Sequence, residues 1–340
     1  MSKNALLWVL SAGLIGCGAD STAVEGESES ESESESESED EQEYIPDLNI
    51  DPLDCSVTPC GTLATNRIVV PTQTSPYHCD VDNNGVDENA LGGLFQLIGS
   101  MGGGTDVQGS IDDAIMTGDP AFLMAIQTSS WANNPEAAFQ FWLGAAVDPE
   151  ATDNWDGAGE FTISEESPDD LAFGGEISGG QADFGPGKVV IEFPVPLPGV
   201  KASSLHVELY AAHVTGTLTE TPISLGSEEE PGTLCGGMPR DVFNTELVPL
   251  VADFVNQACT DDPTGSTCKT ILGLFDENKD GEVTEEEVRT NPTLNAILPD
   301  DLDLFIGAPE DRVRGLDDVP DSISFGLGIT AVGAVFATPE

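Results

Sequence analysis

A repeat of serine and glutamate near the N-terminus most strongly limits what this chain can fold into. Residues 25–43 alternate Glu and Ser with little interruption, and no apolar side chain occurs between Gly26 and Glu43. A segment without apolar side chains cannot bury enough surface to offset its conformational entropy, and its like charges repel one another. We therefore predict a disordered acidic linker, with the folded structure in the residues that follow it.

The segment before the repeat has the organisation of an export signal. Lys3 precedes an apolar or small stretch from Ala5 to Ile15, which is too short to span a bilayer. Residues 14–17 read LIGC and resemble the lipobox of bacterial lipoproteins, in which the cysteine thiol receives a diacylglycerol and the signal is cut off just before it. The resemblance predicts lipidation of Cys17. The alternative is an ordinary secretory signal with a chance cysteine.

This resemblance also implies a location for the protein. Gly18, rather than Asp, follows Cys17, and in well-studied Gram-negative bacteria that favours the outer membrane over the inner one. We therefore expect a signal peptide at residues 1–16 and an anchor and tether at residues 17–54. The protein is then lipid-anchored to the outer membrane, on its periplasmic face or at the cell surface.

Six cysteines follow Cys17, and an exported protein enters a compartment in which disulfides form. Their even number favours three disulfides over zinc ligation, because the chain contains no CxxC pair. Short separations suggest the pairs Cys55–Cys60 and Cys259–Cys268, which leaves Cys79 and Cys235 for the third.

The charge of the chain bears on its partners. It holds 62 acidic and 10 basic residues, a formal net charge of -52. Nucleic acid is not an expected partner, because phosphate backbones are bound by Lys and Arg. Such acidity favours either solubility in a salty medium or the binding of divalent cations.

The strongest sequence motif is the loop Asp276–Glu287, which reads DENKDGEVTEEE and matches the EF-hand calcium loop in full. Gly281 permits the sharp turn at the sixth position, and Val283 resembles the apolar residue that forms a β-bridge between paired EF-hand loops. The alternative is an acidic surface loop. The predicted calcium ligands are the side chains of Asp276, Asn278 and Asp280, the backbone carbonyl of Glu282, Thr284 through a water, and Glu287.

A second acidic loop at residues 80–88 reads DVDNNGVDE. Its first six residues match an EF-type loop, but Leu91 stands where the closing glutamate belongs. It resembles the DxDxNG loops of thrombospondin-type repeats and other extracellular calcium modules, with Asp87 or Glu88 in place of the missing ligand. The alternative is a polar Asn-Gly turn. The candidate ligands are Asp80, Asp82, Asn84, Val86, Asp87 and Glu88.

Apolar periodicity completes the predicted fold. Side chains alternate over residues 189–197, 205–212 and 323–331, as in strands with one buried face. Helical spacing occurs over residues 88–103, 242–259 and 267–275. We predict an α+β fold, an antiparallel β-sandwich-like domain with a mostly helical EF-hand insert. The domains are a β-rich domain with an N-terminal helical segment at residues 55–230, the insert at 231–320 and a returning C-terminal strand at 321–340.

No pattern of catalytic residues stands out. The chain has neither HExxH nor GxSxG, and of its three histidines, His78, His206 and His213, the last two are interpreted as ordinary strand histidines. Carboxylate pairs carry no information among so many acids. The patch Asp317, Asp318 and Asp321 lacks glycine spacing and is predicted to be plain surface. We assign no catalytic residue, and the chain is more readily interpreted as a non-enzyme.

Several segments together resemble EF-hand-containing lipoproteins of myxobacteria and related bacteria. The segments are LIGC, the Ser/Glu linker, residues 80–93, ISGG at residues 177–180 and residues 321–332. The resemblance implies export, lipid anchoring and calcium, and implies no reaction.

The leading hypothesis is a lipid-anchored, calcium-binding envelope protein in which Ca²⁺ acts as a structural clamp. It would build the envelope or bind an envelope or extracellular partner. The alternative is an exported hydrolase with structural calcium. A deep pocket with His78 or His213 beside carboxylates would favour that enzyme.

Overall fold

Alternating apolar residues build the longest strands, as the sequence predicts. In the computed structural model, Val189 and Ile191 pair with Leu209 and Val207 across two antiparallel strands, and all four side chains are buried. The structure describes residues 47–55, 60–71, 77–101, 107–118, 120–165, 167–168, 171–195, 203–261, 263–309 and 311–337. The predicted signal peptide, Cys17 and the Ser/Glu repeat lie outside these residues.

The described chain is mostly β-structure. Its strands are β1 (Asn49–Ile50), β2 (Cys60–Val69), β3 (Ala121–Gln127), β4 (Asn133–Ala146), β5 (Gly159–Ile163), β6 (Ala172–Ser178), β7 (Gln181–Val195), β8 (Ser203–Glu220), β9 (Ile223–Leu225), β10 (Gly232–Pro239), β11 (Phe305–Ile306), β12 (Val313–Arg314) and β13 (Ser322–Ala337).

The helices are short. They are α1 (Leu91–Met101), α2 (Val107–Met116), α3 (Arg240–Val242), α4 (Val248–Asp261), α5 (Ser266–Phe275), α6 (Glu285–Arg289) and α7 (Pro292–Ile297), with a π-helical turn at Phe243–Leu247 and an irregular turn at Asn154–Ala158. Among the described residues, none of these helices has the length and apolar character needed to cross a lipid bilayer.

Eight strands close into an antiparallel barrel. Their order is β6, β7, β8, β10, β13, β2, β3 and β4, and β4 pairs back with β6. The predicted β-sandwich is therefore wrong, because each of these strands has a hydrogen-bonded neighbour on both sides. Alternation of apolar and polar residues has period two in both architectures, so the sequence pattern did not separate them.

The barrel encloses a core rich in phenylalanine. Phe139 lies at its centre, with ring centroids 5.2 Å from both Phe173 and Phe184 and 6.5 Å from Phe141. All four rings are at most 1 % exposed. Phe139 and Phe173 are directly paired across β4 and β6, the two strands that close the ring. The closing seam is therefore packed with buried aromatic side chains.

The predicted helical insert at residues 231–320 also needs correction. β10 lies inside that range and pairs with β8 and β13 as a member of the barrel, and β11 and β12 form a small hairpin. The helices α3 to α7 occupy only the chain between β10 and β11. β10 escaped prediction because its sequence, GTLCGGMP, is rich in glycine and nearly all of its residues are buried, so no alternation is visible.

All three predicted disulfides form: Cys55–Cys60, Cys79–Cys235 and Cys259–Cys268. Cys79 is thereby joined to β10 of the barrel, and Cys259–Cys268 joins α4 to α5. Each of these two disulfides lies beside one of the acidic loops and restricts where that loop can lie.

Candidate metal centre

The loop Asp276–Glu287, called here the helical loop, connects α5 to α6 and is folded by its own side chains. Asp276 Oδ2 accepts a hydrogen bond from the backbone N–H of Gly281 at 3.0 Å. Asn278 Oδ1 accepts one from the N–H of Asp280 at 2.8 Å. These short-range bonds to side-chain oxygens hold the chain in a tight turn.

Glu287 closes this loop. Its carboxylate accepts hydrogen bonds from the backbone N–H groups of Thr284, Glu277 and Asn278 at 2.9, 3.1 and 3.2 Å. The same bonds, that from Thr284 first, hold the pKa of Glu287 below its usual value. Thr284 in turn caps α6, so its hydroxyl serves the helix end. The last residue of the predicted EF-hand loop is thus bonded to the backbone near its start, at Glu277 and Asn278.

Residues 80–88, called here the barrel loop, fold in the same way. Asp80 Oδ2 accepts a hydrogen bond from the N–H of Gly85 at 2.9 Å, the same first-to-sixth contact as in the helical loop. Asp82 Oδ1 accepts one from the N–H of Asn84 at 3.3 Å, which repeats the third-to-fifth contact. Two loops with different closing sequences therefore share one pattern of hydrogen bonds.

The backbone angles of the two loops agree as well. At the fourth position φ is 59° for Asn83 and 62° for Lys279, and at the sixth position it is 84° for Gly85 and 90° for Gly281. Positive φ is uncommon for residues other than glycine. Its recurrence at both positions shows that the barrel loop has the conformation of the helical loop.

The barrel loop brings three carboxylates together. Oxygen atoms of Asp80, Asp82 and Glu88 all lie within 4.8 Å of one another, and among the described residues no other group of three Asp, Glu, His or Cys ligand atoms does so. Asp87, the other candidate for the closing ligand, is exposed and contacts His78 at 3.2 Å. Of the two residues considered at this position, the structure places Glu88 with the cluster.

The fold of the barrel loop explains why Glu88, and not Asp87, lies with the cluster. The N–H of Glu88 donates to the carbonyl of Cys79 at 3.2 Å, which closes the loop on itself. Asn84 supports the turn, because its Oδ1 accepts the N–H of Val86 at 2.8 Å and its Nδ2 contacts Glu88 Oε1 at 3.3 Å. The Val86 side chain is exposed and has no donor atom. Only the Val86 backbone carbonyl can therefore act as a ligand.

A segment distant in sequence adds to the cluster. The backbone N–H of Asp303 donates to Asp82 Oδ2 at 3.3 Å. Asp301 accepts two hydrogen bonds from Ser324 on β13, whose Oγ also accepts the N–H of Ala90 just after the barrel loop. The sequence analysis missed Asp301 and Asp303, since nothing in their spacing distinguishes them among the many acids. They line a cavity of about 270 Å³ together with Asp82 and Asp318.

Several oxygen atoms in this region are buried without a hydrogen-bond partner. They are Asp80 Oδ1, Glu88 Oε2 and Asp303 Oδ1. A buried acceptor that lacks a donor is destabilising by about 1–3 kcal/mol, more if it is charged. A bound cation would compensate each of these oxygen atoms that lies within coordination distance of it.

The electrostatics point the same way. Burial raises the pKa of Glu88 to about 7, and the carboxylates of Asp82, Asp301 and Asp80 add to the rise while a hydrogen bond from Asn84 opposes it. Burial also raises the pKa of Asp301 and of Asp303. Without a cation, negative charge at this site is therefore unfavourable.

The remaining acidic patch and His213 border this region: Asp303 Oδ2 accepts the N–H groups of Asp317 and Asp318, and His213 lines a cavity of about 110 Å³ with Asp80 and Asp82. Asp317 and Asp318 are exposed, as predicted, but Asp321 is half-buried and accepts the N–H groups of Leu304 and Phe305. His206 is exposed. His213 lies 3.6 Å from Asp183 at the edge of an open hollow of about 540 Å³, and it lowers the pKa of Asp183.

The donor atoms decide which ion the two loops fit. The candidate side chains of both loops offer oxygen from a carboxylate, an amide or a hydroxyl, and such hard donors suit Ca²⁺ or Mg²⁺. Comparison of the chain with protein-family models, with curated proteins and with solved structures finds no match. The resemblance to exported lipoproteins stays a prediction, and the function rests on the residues themselves.

Proposed function

We propose that the protein is an exported, lipid-anchored envelope protein whose folded domain is clamped by calcium at the barrel loop and the helical loop. The observation that carries the proposal is the shared conformation of these loops, together with the meeting of Asp80, Asp82 and Glu88 at one point. The clamped domain serves as a platform for the envelope or for an extracellular partner.

Calcium is favoured over magnesium by the form of the ligand set. Each loop supplies its oxygens from one short stretch of chain, which suits the flexible coordination geometry of Ca²⁺. Mg²⁺ instead demands a near-ideal octahedron and retains several waters. Extracellular calcium modules bind with dissociation constants of roughly 10⁻⁴ to 10⁻³ M, so an exported site is filled where calcium is plentiful. The ion then acts as a constant part of the structure and not as a signal.

The position of the barrel loop supports a clamping role. On one side, the Cys79–Cys235 disulfide joins it to β10. On the other side, the N–H of Asp303 contacts Asp82 Oδ2. An ion held by Asp80, Asp82 and Glu88 therefore ties the barrel to the segment that follows the helices.

A calcium titration of the purified protein, followed by calorimetry, tests this proposal. We expect two sites per chain. Glu88→Gln should remove one and Glu287→Gln the other, because each removes a carboxylate proposed as a ligand. Asp87→Asn and Glu286→Gln are matched controls, since both side chains are exposed and are engaged with His78 and Arg289 instead. A chain that binds no calcium, or variants that bind like the wild type, would contradict the proposal.

Anchoring is tested separately through Cys17. In cells producing the full chain, Cys17→Ser is expected to move the protein from the membrane fraction to the soluble fraction, because the thiol is the lipid acceptor. The check is fractionation together with mass spectrometry of the N-terminal peptide. An unchanged distribution, with no lipid mass on the wild-type peptide, would refute the anchor.

An exported hydrolase with structural calcium remains the second candidate, and the pairing of His213 with Asp183 beside a hollow favours it. A His–carboxylate pair is one element of a general base. The clamp explains more of the described features, because both loops and the buried acids belong to it.

A further inference from the structure

Asn256 on α4 is joined to the helical loop by a pair of hydrogen bonds. Its Oδ1 accepts the backbone N–H of Val283 at 2.8 Å, and its Nδ2 donates to the carbonyl of Val283 at 2.8 Å. The Val283 residue is only 2 % exposed. Its N–H and carbonyl are therefore shielded from water and need partners within the protein.

A carboxamide carries the same donor and acceptor as a peptide unit. Two hydrogen bonds to the N–H and carbonyl of one residue are what a directly opposite residue supplies in an antiparallel ladder. Val283 occupies the loop position that the EF-hand resemblance assigns to a β-bridge with a second loop. In this chain the Asn256 side chain takes the place of that second loop.

The surroundings of Asn256 fix its distance from the loop. Val255, the preceding residue, is fully buried. Cys259, three residues further along α4, forms a disulfide with Cys268 on α5. Since α5 runs directly into the helical loop, α4 and the loop are held in one covalently closed frame.

We propose that Asn256 is a positioning residue for calcium, which completes a single EF-hand loop without a partner loop. The proposal rests on calcium binding at the helical loop. By holding Val283, Asn256 keeps the Glu282 carbonyl and the Glu287 carboxylate near their ligand positions before the ion arrives. Less of the loop then has to be ordered on binding, which favours affinity.

The test compares calcium titrations of two proteins, Glu88→Gln and Glu88→Gln combined with Asn256→Leu. The first change leaves the helical loop as the proposed site. Loss of both hydrogen bonds is expected to raise the calcium dissociation constant by at most about thirtyfold, because two net hydrogen bonds contribute about 2 kcal/mol in total. Thr260→Val is the matched control on α4, since Thr260 is exposed and its hydroxyl bonds only to the carbonyl of Asn256 within the helix. It should leave the constant unchanged.

Hydrogen exchange of the Val283 amide provides a second readout, and its wild-type measurement needs no variant. In the wild type with chelator present, this amide is expected to be protected from exchange, and Asn256→Leu should remove the protection. Rapid exchange in the wild type, or an unchanged dissociation constant in the Leu variant, would overturn the role of Asn256 alone. If the Glu88→Gln parent binds no calcium, the helical-loop site and this inference both fail.

Discussion

Replacing Cys79 and Cys235 together by alanine is expected to lower the free energy of unfolding by about 5 kcal/mol, because the disulfide closes a very long loop. The two cysteines are 156 residues apart in the chain. Without the bond, the unfolded chain gains the entropy of that loop. A loss of this size is a large part of the stability of an ordinary domain, which is about 5–15 kcal/mol.

The matched control is the double alanine variant of Cys259 and Cys268. These cysteines are 9 residues apart, and the same relation predicts a loss of only about 2.5 kcal/mol. Denaturant unfolding at saturating calcium measures both losses. Equal losses for the two pairs would show that loop length does not govern them. The variant that lacks Cys79 and Cys235 should also bind calcium more weakly, because Asp80 follows Cys79 directly.

Removing calcium is expected to lower the free energy of unfolding of the wild-type protein by about 2.7 kcal/mol per site. This figure applies when the calcium concentration was a hundredfold above the dissociation constant of the site. On the proposed function, the ion would stabilise only the folded form, in which Asp80, Asp82 and Glu88 converge. The unfolded chain does not hold these oxygens together and binds calcium weakly.

Glu88→Gln should act in opposite directions with and without calcium. The folded-state pKa of Glu88, about 7, lies above its ordinary value of 4.5. Its protonated form therefore favours the folded state at low pH, and this contribution is lost as the pH rises through about 7. In chelator above that pH, the ionised carboxylate destabilises the fold and glutamine relieves it. In calcium, the same substitution removes a ligand and destabilises the fold.

Local features of the sequence predicted several parts of the fold. Alternation at Val189 and Ile191 predicted β7, and short separations predicted two of the disulfides and left Cys79 and Cys235 for the third. Closure of the barrel was not predictable, because β4 pairs with β6 through Phe139 and Phe173 in a contact that no local pattern encodes. β10 was missed because a buried, glycine-rich strand has no polar face.

The candidate metal site, like the fold, was predictable only where it depends on local sequence. The spacing of Asp80, Asp82 and Gly85 identified the barrel loop, since those positions follow from the geometry of one turn. The choice of Glu88 over Asp87 depends on the hydrogen bond from Glu88 to Cys79, which sequence spacing does not specify. Asp303 reaches the loop only through the tertiary fold.

Thermal unfolding of the wild type, Glu88→Gln and Asp87→Asn, each in calcium and in chelator at a pH above the pKa of Glu88, tests the clamp most directly. The account predicts that calcium raises the melting temperature of the wild type and of Asp87→Asn by equal amounts, and that of Glu88→Gln by clearly less. It also predicts that in chelator Glu88→Gln melts no lower than the wild type. Wild-type curves that superimpose in calcium and chelator, or an undiminished calcium effect in Glu88→Gln, would contradict it.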